Sequence, residues 1–101
     1  MKLAVIERLI LLQILPKEGD FVTLKILRSL ISNLGLSEAE YKEFDVRQED
    51  TQIIWNEKGN EEREIEIGEK ATDIIVESLK KLNDEKKLTE QHFSTYEKFV
   101  S

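Results

Sequence analysis

Carboxylates are the only reactive side chains that this chain has in number. Its 101 residues hold 21 Asp and Glu, one histidine and no cysteine. Paired acids can hydrolyse glycosides, and clustered acids can hold Mg²⁺ or Ca²⁺ without help from His or Cys. Here the acids are concentrated in one segment. Residues 37–69 carry twelve (Glu38, Glu40, Glu43, Asp45, Glu49, Asp50, Glu57, Glu61, Glu62, Glu64, Glu66, Glu69) against four bases, a net of −8. Residues 1–36 come to +2 and residues 70–101 to zero, so the formal −6 of the chain is a local excess.

Spacing argues against carboxylate chemistry. Asn56–Glu61 lacks the D-x-D-x-D-G pattern of a calcium loop. The acids also fall on the water-facing positions of the helices and strands described below. They fit a solvated face, or a patch that steers a basic partner toward the protein. The candidate partner-binding residues are Glu38, Glu40, Glu43, Asp45, Glu61, Glu62 and Glu64, joined by Trp55, the only tryptophan. Tryptophan is enriched at binding hot spots and is equally at home in a core.

Other chemistries are excluded more directly. Without cysteine there is no disulfide, thiolate metal site or Cys nucleophile. His92 has no second histidine to work with, and its place at the third position of a helix suits an ordinary polar residue of a helix start. No phosphate loop, dinucleotide fingerprint, H-E-x-x-H or nucleophile elbow is present. The expectation is a non-enzymatic protein with no cofactor and no metal.

The elements that position these residues read as one α+β domain over 1–101, with about five helices and one β-hairpin. Leu3–Leu15 is apolar nearly all round, the mark of a helix that others surround or that forms a dimer seam. Pro16 stops it. Asp20 caps a second helix, Phe21–Leu34, whose apolar positions Leu24, Leu27, Ile31 and Leu34 predict one buried side. Gly35 fits a left-handed helix end. Ser37-Glu38-Ala39-Glu40 is a capping box for a short third helix ending near Phe44, with Leu36 and Tyr41 placed for a hydrophobic staple.

The period then changes. Thr51–Trp55 is rich in β-formers, and Glu64-Ile65-Glu66-Ile67 alternates strictly. The two predict a hairpin joined by a long loop around Lys58-Gly59-Asn60. Val46–Gln48 is compatible with a third short antiparallel strand turning at Glu49-Asp50. Gly68 closes the hairpin, and Glu69–Leu82 is a fourth helix with Ala71, Ile74, Ile75, Ser78, Leu79 and Leu82 on one side. Thr89 caps a fifth, with an apolar stripe of Phe93, Tyr96, Phe99 and Val100.

Three helices followed by a hairpin is the order of a winged-helix domain. In that arrangement the third helix enters the major groove. Here it offers Glu38, Glu40, Glu43 and Asp45 against a single Lys42, and phosphates would repel these acids. Winged-helix-like regulation of DNA is therefore an alternative reading, and nucleic acid is not the expected partner. A further alternative is that the acids imitate phosphates and block a nucleic-acid enzyme. The uncharged run Leu9–Leu15 is far short of the ~20 residues a membrane span needs, so a soluble, cytoplasmic protein without a membrane partner is expected.

Several segments carry a likeness: Glu7-Arg8-Leu9, Leu15-Pro16-Lys17-Glu18-Gly19, Trp55-Asn56, Gly68-Glu69-Lys70-Ala71-Thr72, and Leu88 through Tyr96-Glu97-Lys98-Phe99. With them the whole chain resembles small, uncharacterised proteins of tailed bacteriophages and of prophages of Gram-positive bacteria. The resemblance names no catalytic residue. It implies a protein made in the host cytoplasm with a host or phage protein as its target. The expected function is protein–protein binding, through self-association as a homo-oligomer, modulation of a host factor, or both.

Overall fold

Pro16, Asp20 and Ser37 punctuate the first half of the chain, and the helices obey them. In the computed structural model, which describes residues 1–100, the fold is α+β. Strand β1 is Lys2–Leu3, and helices α1, α2 and α3 are Val5–Ile14, Phe21–Leu34 and Glu38–Glu43. Strands β2, β3 and β4 are Arg47–Glu49, Gln52–Ile54 and Arg63–Glu64. Helices α4 and α5 are Glu69–Asp84 and Phe93–Phe99. Single 3₁₀ turns occupy Glu57–Asn60 and Glu90–His92. Four helices carry the core, and the six-residue α3 buries no residue of its own.

Helix α1 is the centre of the packing. It touches α2, α4 and α5, and α2 touches α4 in turn. Leu11, Leu34, Ile75 and Leu79 meet there with no accessible surface. Truncating any one of them to Ala costs about 2–5 kcal/mol. The near-complete apolar girth of α1 is explained by these neighbours, except along Ile6, Leu9 and Leu12, which stay partly open.

The structure corrects the sequence in five places. First, Leu3 belongs to a strand, so α1 begins at Val5; Lys2–Leu3 pairs antiparallel with Arg63–Glu64. Second, the hairpin joins β2 to β3, with Arg47 opposite Ile54 and Glu49 opposite Gln52. The compatible third strand is thus the true partner of β3. A two-residue turn costs far less chain entropy to close than the loop that the expected hairpin needs. Asp50 adopts the left-handed φ of 54° that such turns require at their first position. Gly68 does not close a hairpin and is instead the N-cap of α4.

Third, Gly35 ends α2 in extended conformation, not left-handed. Glycine is needed for closeness: a Cβ there would lie 3.2 Å from the Ile31 carbonyl oxygen. Fourth, α2 is rotated from the expected face. Leu27, Leu30 and Leu34 are buried, while Leu24 and Ile31 lie on the outside. Fifth, Phe93 stands in water, though Tyr96, Phe99 and Val100 pack on the core as expected. Thr89 opens the 3₁₀ turn before α5, where its N–H donates to His92 Nδ1 at 2.9 Å. Elsewhere the alternation holds: Ile65 is buried, Ile67 packs on the core, and Glu64 and Glu66 face water.

Helix α4 ends in a Schellman arrangement. Lys86 N–H donates to Asn83 O at 3.0 Å and Lys87 N–H to Leu82 O at 2.8 Å. Lys86 holds a φ of 58°, a conformation that strains a side chain with a Cβ. Lys86→Gly is expected to raise stability by about 1 kcal/mol, read as a shift in urea midpoint with an unchanged slope.

Candidate interaction surfaces

Five of the seven candidate acids are answered by a cation within the molecule. Glu40 pairs with Arg8 at 2.7 Å. Glu43 pairs with Arg63, whose guanidinium also lies 4.5 Å over the Phe44 ring. Glu62 pairs with Lys98, and Glu64 lies 3.3 Å from the Met1 amino group. Asp45 is 3.6 Å from Arg47. Among the described residues, only Glu38 and Glu61 of the seven candidate acids have no cation within salt-bridge distance. The segment is thus less available to a basic partner than its composition suggests. Among the described residues, no three His, Asp or Glu side chains converge as a metal site requires.

Two charged residues that look like interruptions of an apolar helix turn out to be buried. Arg8 is 2 % exposed and Glu7 3 %. Neighbouring helix positions are rotated by about 100°, so the two leave α1 in different directions. Arg8 Nε donates to Leu34 O at 2.9 Å, and Nη2 donates to Gly35 O at 2.6 Å. Nη1 and Nη2 both reach the Glu40 carboxylate, at 2.7 and 3.1 Å. The fork holds Glu40 down to a pKa of about 2, with help from the Ser37 N–H.

Glu7 accepts the Ala4 N–H at 2.9 Å and Lys98 Nζ at 2.7 Å. Burial pushes its carboxyl up, but the bonds from Lys98, Ala4 and Ser94 outweigh it and hold it below the ordinary value. Lys98 also donates to Lys2 O at 2.9 Å and to Glu62. Burial works against the charge on Lys98, and Glu62 and Glu7 overcome it, so its pKa is raised. Ser94, Lys98 and Glu7 therefore do not form a nucleophile and base: the lysine keeps its proton and has no lone pair to offer.

His92 is occupied locally. Its Nδ1 accepts the Thr89 N–H, which leaves the proton of the neutral ring on Nε2. No acid or second ligand completes a site there.

The open chemistry lies on apolar surface instead. The β2–β3 hairpin stands off α1 across a cleft of about 570 Å³. Ile6, Leu9, Leu12, Ile53 and Trp55 line it, together with Gln13, Gln52 and Gln91, and none of its lining residues is charged. A recess of about 140 Å³ continues from Leu9 and Ile53 to Leu36, Tyr41 and Val46. Leu36 and Tyr41, the expected staple pair, are its far wall. Trp55 is half-buried: its indole lies on Gly59 and donates Nε1–H to Asn60 at 3.2 Å. One edge of the indole remains in the cleft. Ile53 beside it is 48 % exposed.

A second apolar face runs along the outside of α2, where Phe21, Val22, Leu24 and Ile31 all stand in water. Neither face was found from sequence, because both depend on which side of a helix the core takes. The buried pair Glu7-Arg8 had a readable signal: two charges inside an otherwise apolar helix must find partners. No family model matches the chain, and no curated protein or solved structure matches it. Among the described residues, no helix is long and apolar enough to cross a membrane.

Arg8→Ala is expected to cost about 3–5 kcal/mol, because Glu40 and two carbonyls lose their buried partner; chemical denaturation gives the value. Glu40 supplies stability that is complete above its ordinary pKa of 4.5 and is lost as pH falls toward about 2. Glu40→Gln should therefore lower stability at neutral pH and flatten its decline across that acid window, as followed by circular dichroism.

Proposed function

We propose that this chain is a non-enzymatic binding protein that acts through protein–protein contact, by self-association, by modulating another protein, or both. The observation that carries the reading is the uncharged apolar cleft between α1 and the hairpin, with Trp55 and Ile53 on one wall and Ile6 and Leu9 on the other. A cleft of this size accepts one or two large side chains of a partner, and its lack of charge removes the cost of desolvating an ion, while Gln13, Gln52 and Gln91 can hydrogen-bond what enters. Both ends of the hairpin are anchored beside α3, where Val46 N–H donates to Tyr41 O at 3.0 Å and Asn56 N–H to Phe44 O at 2.7 Å, so the cleft has a fixed outer wall.

The resemblance to phage and prophage proteins supports a host or phage protein as the partner, met in the host cytoplasm. In this reading the acids keep the chain soluble and those without a cation partner, Glu38 and Glu61 among them, add long-range steering. Winged-helix DNA binding and phosphate mimicry are weaker alternatives. Phosphate mimicry needs Glu40 and Glu43 to face a partner, and both already hold an arginine of this chain; DNA binding would set Glu38 against phosphates with Lys42 as the single cation of α3.

Ile6→Ser combined with Ile53→Ser tests the reading, since both side chains are exposed and neither supports the core. Sedimentation velocity and capture from nuclease-treated lysate are the measurements. Self-association or capture should weaken at least about tenfold, as at other interface anchors, while the melting curve moves little. If both persist unchanged in this variant and are lost in Glu38→Lys/Glu61→Lys, the cleft is not the site and the acidic segment is.

A further inference from the structure

The outer face of α2 is a second surface, independent of the cleft. Phe21, Leu24, Arg28 and Ile31 follow one another at helical spacing and all lie outside. Phe21 is 67 % exposed and Ile31 47 %. Between the end of α1 and this stripe runs a groove of about 300 Å³, floored by Leu12, Leu15, Leu24, Leu27 and Ile31. Lys17 and Arg28 stand at its rim. Lys25 lies beside them, with its ammonium 5.7 Å from the Phe21 ring centroid.

The groove is lined by two cations, Lys17 and Arg28, and by no acid, with Glu18 and Asp20 the nearest acids in sequence. No Asp or Glu occurs from Phe21 to Ser37 in a chain whose net charge is −6. Lys17, Lys25 and Arg28 enter none of the salt bridges of the described residues. The nearby Asp20 carboxylate is engaged in capping the Thr23 N–H at 2.8 Å.

We propose that this groove docks an amphipathic helix of another protein, one that inserts large apolar side chains between α1 and α2 and sets Asp or Glu against Lys17, Lys25 and Arg28. Two alternatives fit less well. A two-fold contact with a second copy sets Lys25 and Arg28 against their own counterparts, and like charges at close range are repelled. Nucleic acid has no use for Phe21, Leu24 and Ile31 in water beside only three cations. A concave apolar groove with a charged rim is the form in which a helix is held by its apolar positions and selected by its flanks.

The test uses the full chain, labelled with ¹⁵N, and two short helical peptides sharing one leucine stripe, flanked by Glu in one and by Lys in the other. The Glu peptide is expected to shift the amides of α2, and to bind at least about tenfold more tightly than the Lys peptide at low salt. Its affinity should fall by a similar factor in Lys25→Glu/Arg28→Glu, and also in Phe21→Ser/Leu24→Ser, which keeps the cations. Ile6→Ser/Ile53→Ser should leave it unchanged, which separates this groove from the α1–hairpin cleft. Equal binding of the two peptides overturns the proposal, as does the absence of any shift. Shifts confined to Ile6, Leu9 and Ile53 also overturn it and assign helix binding to the cleft. Tighter binding of a DNA duplex or of anionic vesicles at the same α2 amides overturns it in favour of a polyanion.

Discussion

Everything in the first half of the fold depends on the guanidinium of Arg8. A buried cation without partners is prohibitively costly, and its presence dictates what surrounds it. It is answered by the Leu34 and Gly35 carbonyls, at the end of α2 where helix carbonyls lack intrahelical partners and the dipole is negative. It is also answered by both oxygens of Glu40. Glu40 Oε1 in turn accepts the Ser37 N–H at 3.0 Å, which completes the capping box of α3. One planar fork therefore ties α1, the end of α2 and the start of α3. Lysine has a single point of charge and cannot serve these acceptors in their separate directions. Helix α3 is six residues long, far below the length at which a helix stands alone. It exists because Arg8 and Ser37 hold its first turn.

Glu7 does the same for the other side of the molecule. Through Lys98 it joins α1 to α5, and Lys98 continues to Lys2 O and Glu62. The start of β1, the end of α5 and the approach to β4 thus meet at one ammonium. These buried contacts change the meaning of the charge tally. Cations that come from outside residues 37–69, Arg8 and Lys98, neutralise acids within it. Composition places a strong acidic excess in that segment, and the fold spends a good part of it on holding elements together.

How much of this is legible in the sequence follows from how local each cause is. Helix α2 and the capping box of α3 rest on residues within four positions of one another, and both bounds agree with Asp20 and with Ser37 through Glu40. The core side of α4 rests on one clean stripe and is equally plain. The hairpin is different. Of the expected strands Thr51–Trp55 and Glu64–Ile67, Gln52–Ile54 and a shifted Arg63–Glu64 form, and which strand each pairs with depends on the ends of the chain and on a two-residue turn. No propensity records that Lys2–Leu3 takes Arg63–Glu64 as its partner. The rotation of α2 is hidden for another reason. Leu24, Ile26, Leu27, Leu30, Ile31 and Leu34 cover too wide an arc for the sequence to say which part α1 and α4 will bury. Among the candidate site residues, Trp55 does lie at an open surface, whereas Glu40 is drawn inward by an arginine thirty-two positions away.

That same excess of apolar arc explains where the molecule can act. A helix that buries Leu27, Leu30 and Leu34 has satisfied its own fold, and any further large apolar residue on its far side adds nothing to the core. Single exposed leucines are ordinary. A stripe that recurs at helical spacing and borders a groove is a different matter, since its residues form one continuous apolar path along the helix. The cleft beside the hairpin shares this property but not its electrostatics. It is lined by uncharged residues, so shape and the hydrogen bonds of its glutamines would select what enters. The α2 groove has cations at its rim on a chain that is acidic elsewhere, so charge selects as well. The two surfaces meet at Leu12, which lines both, and they differ in the physics by which each would select what it binds.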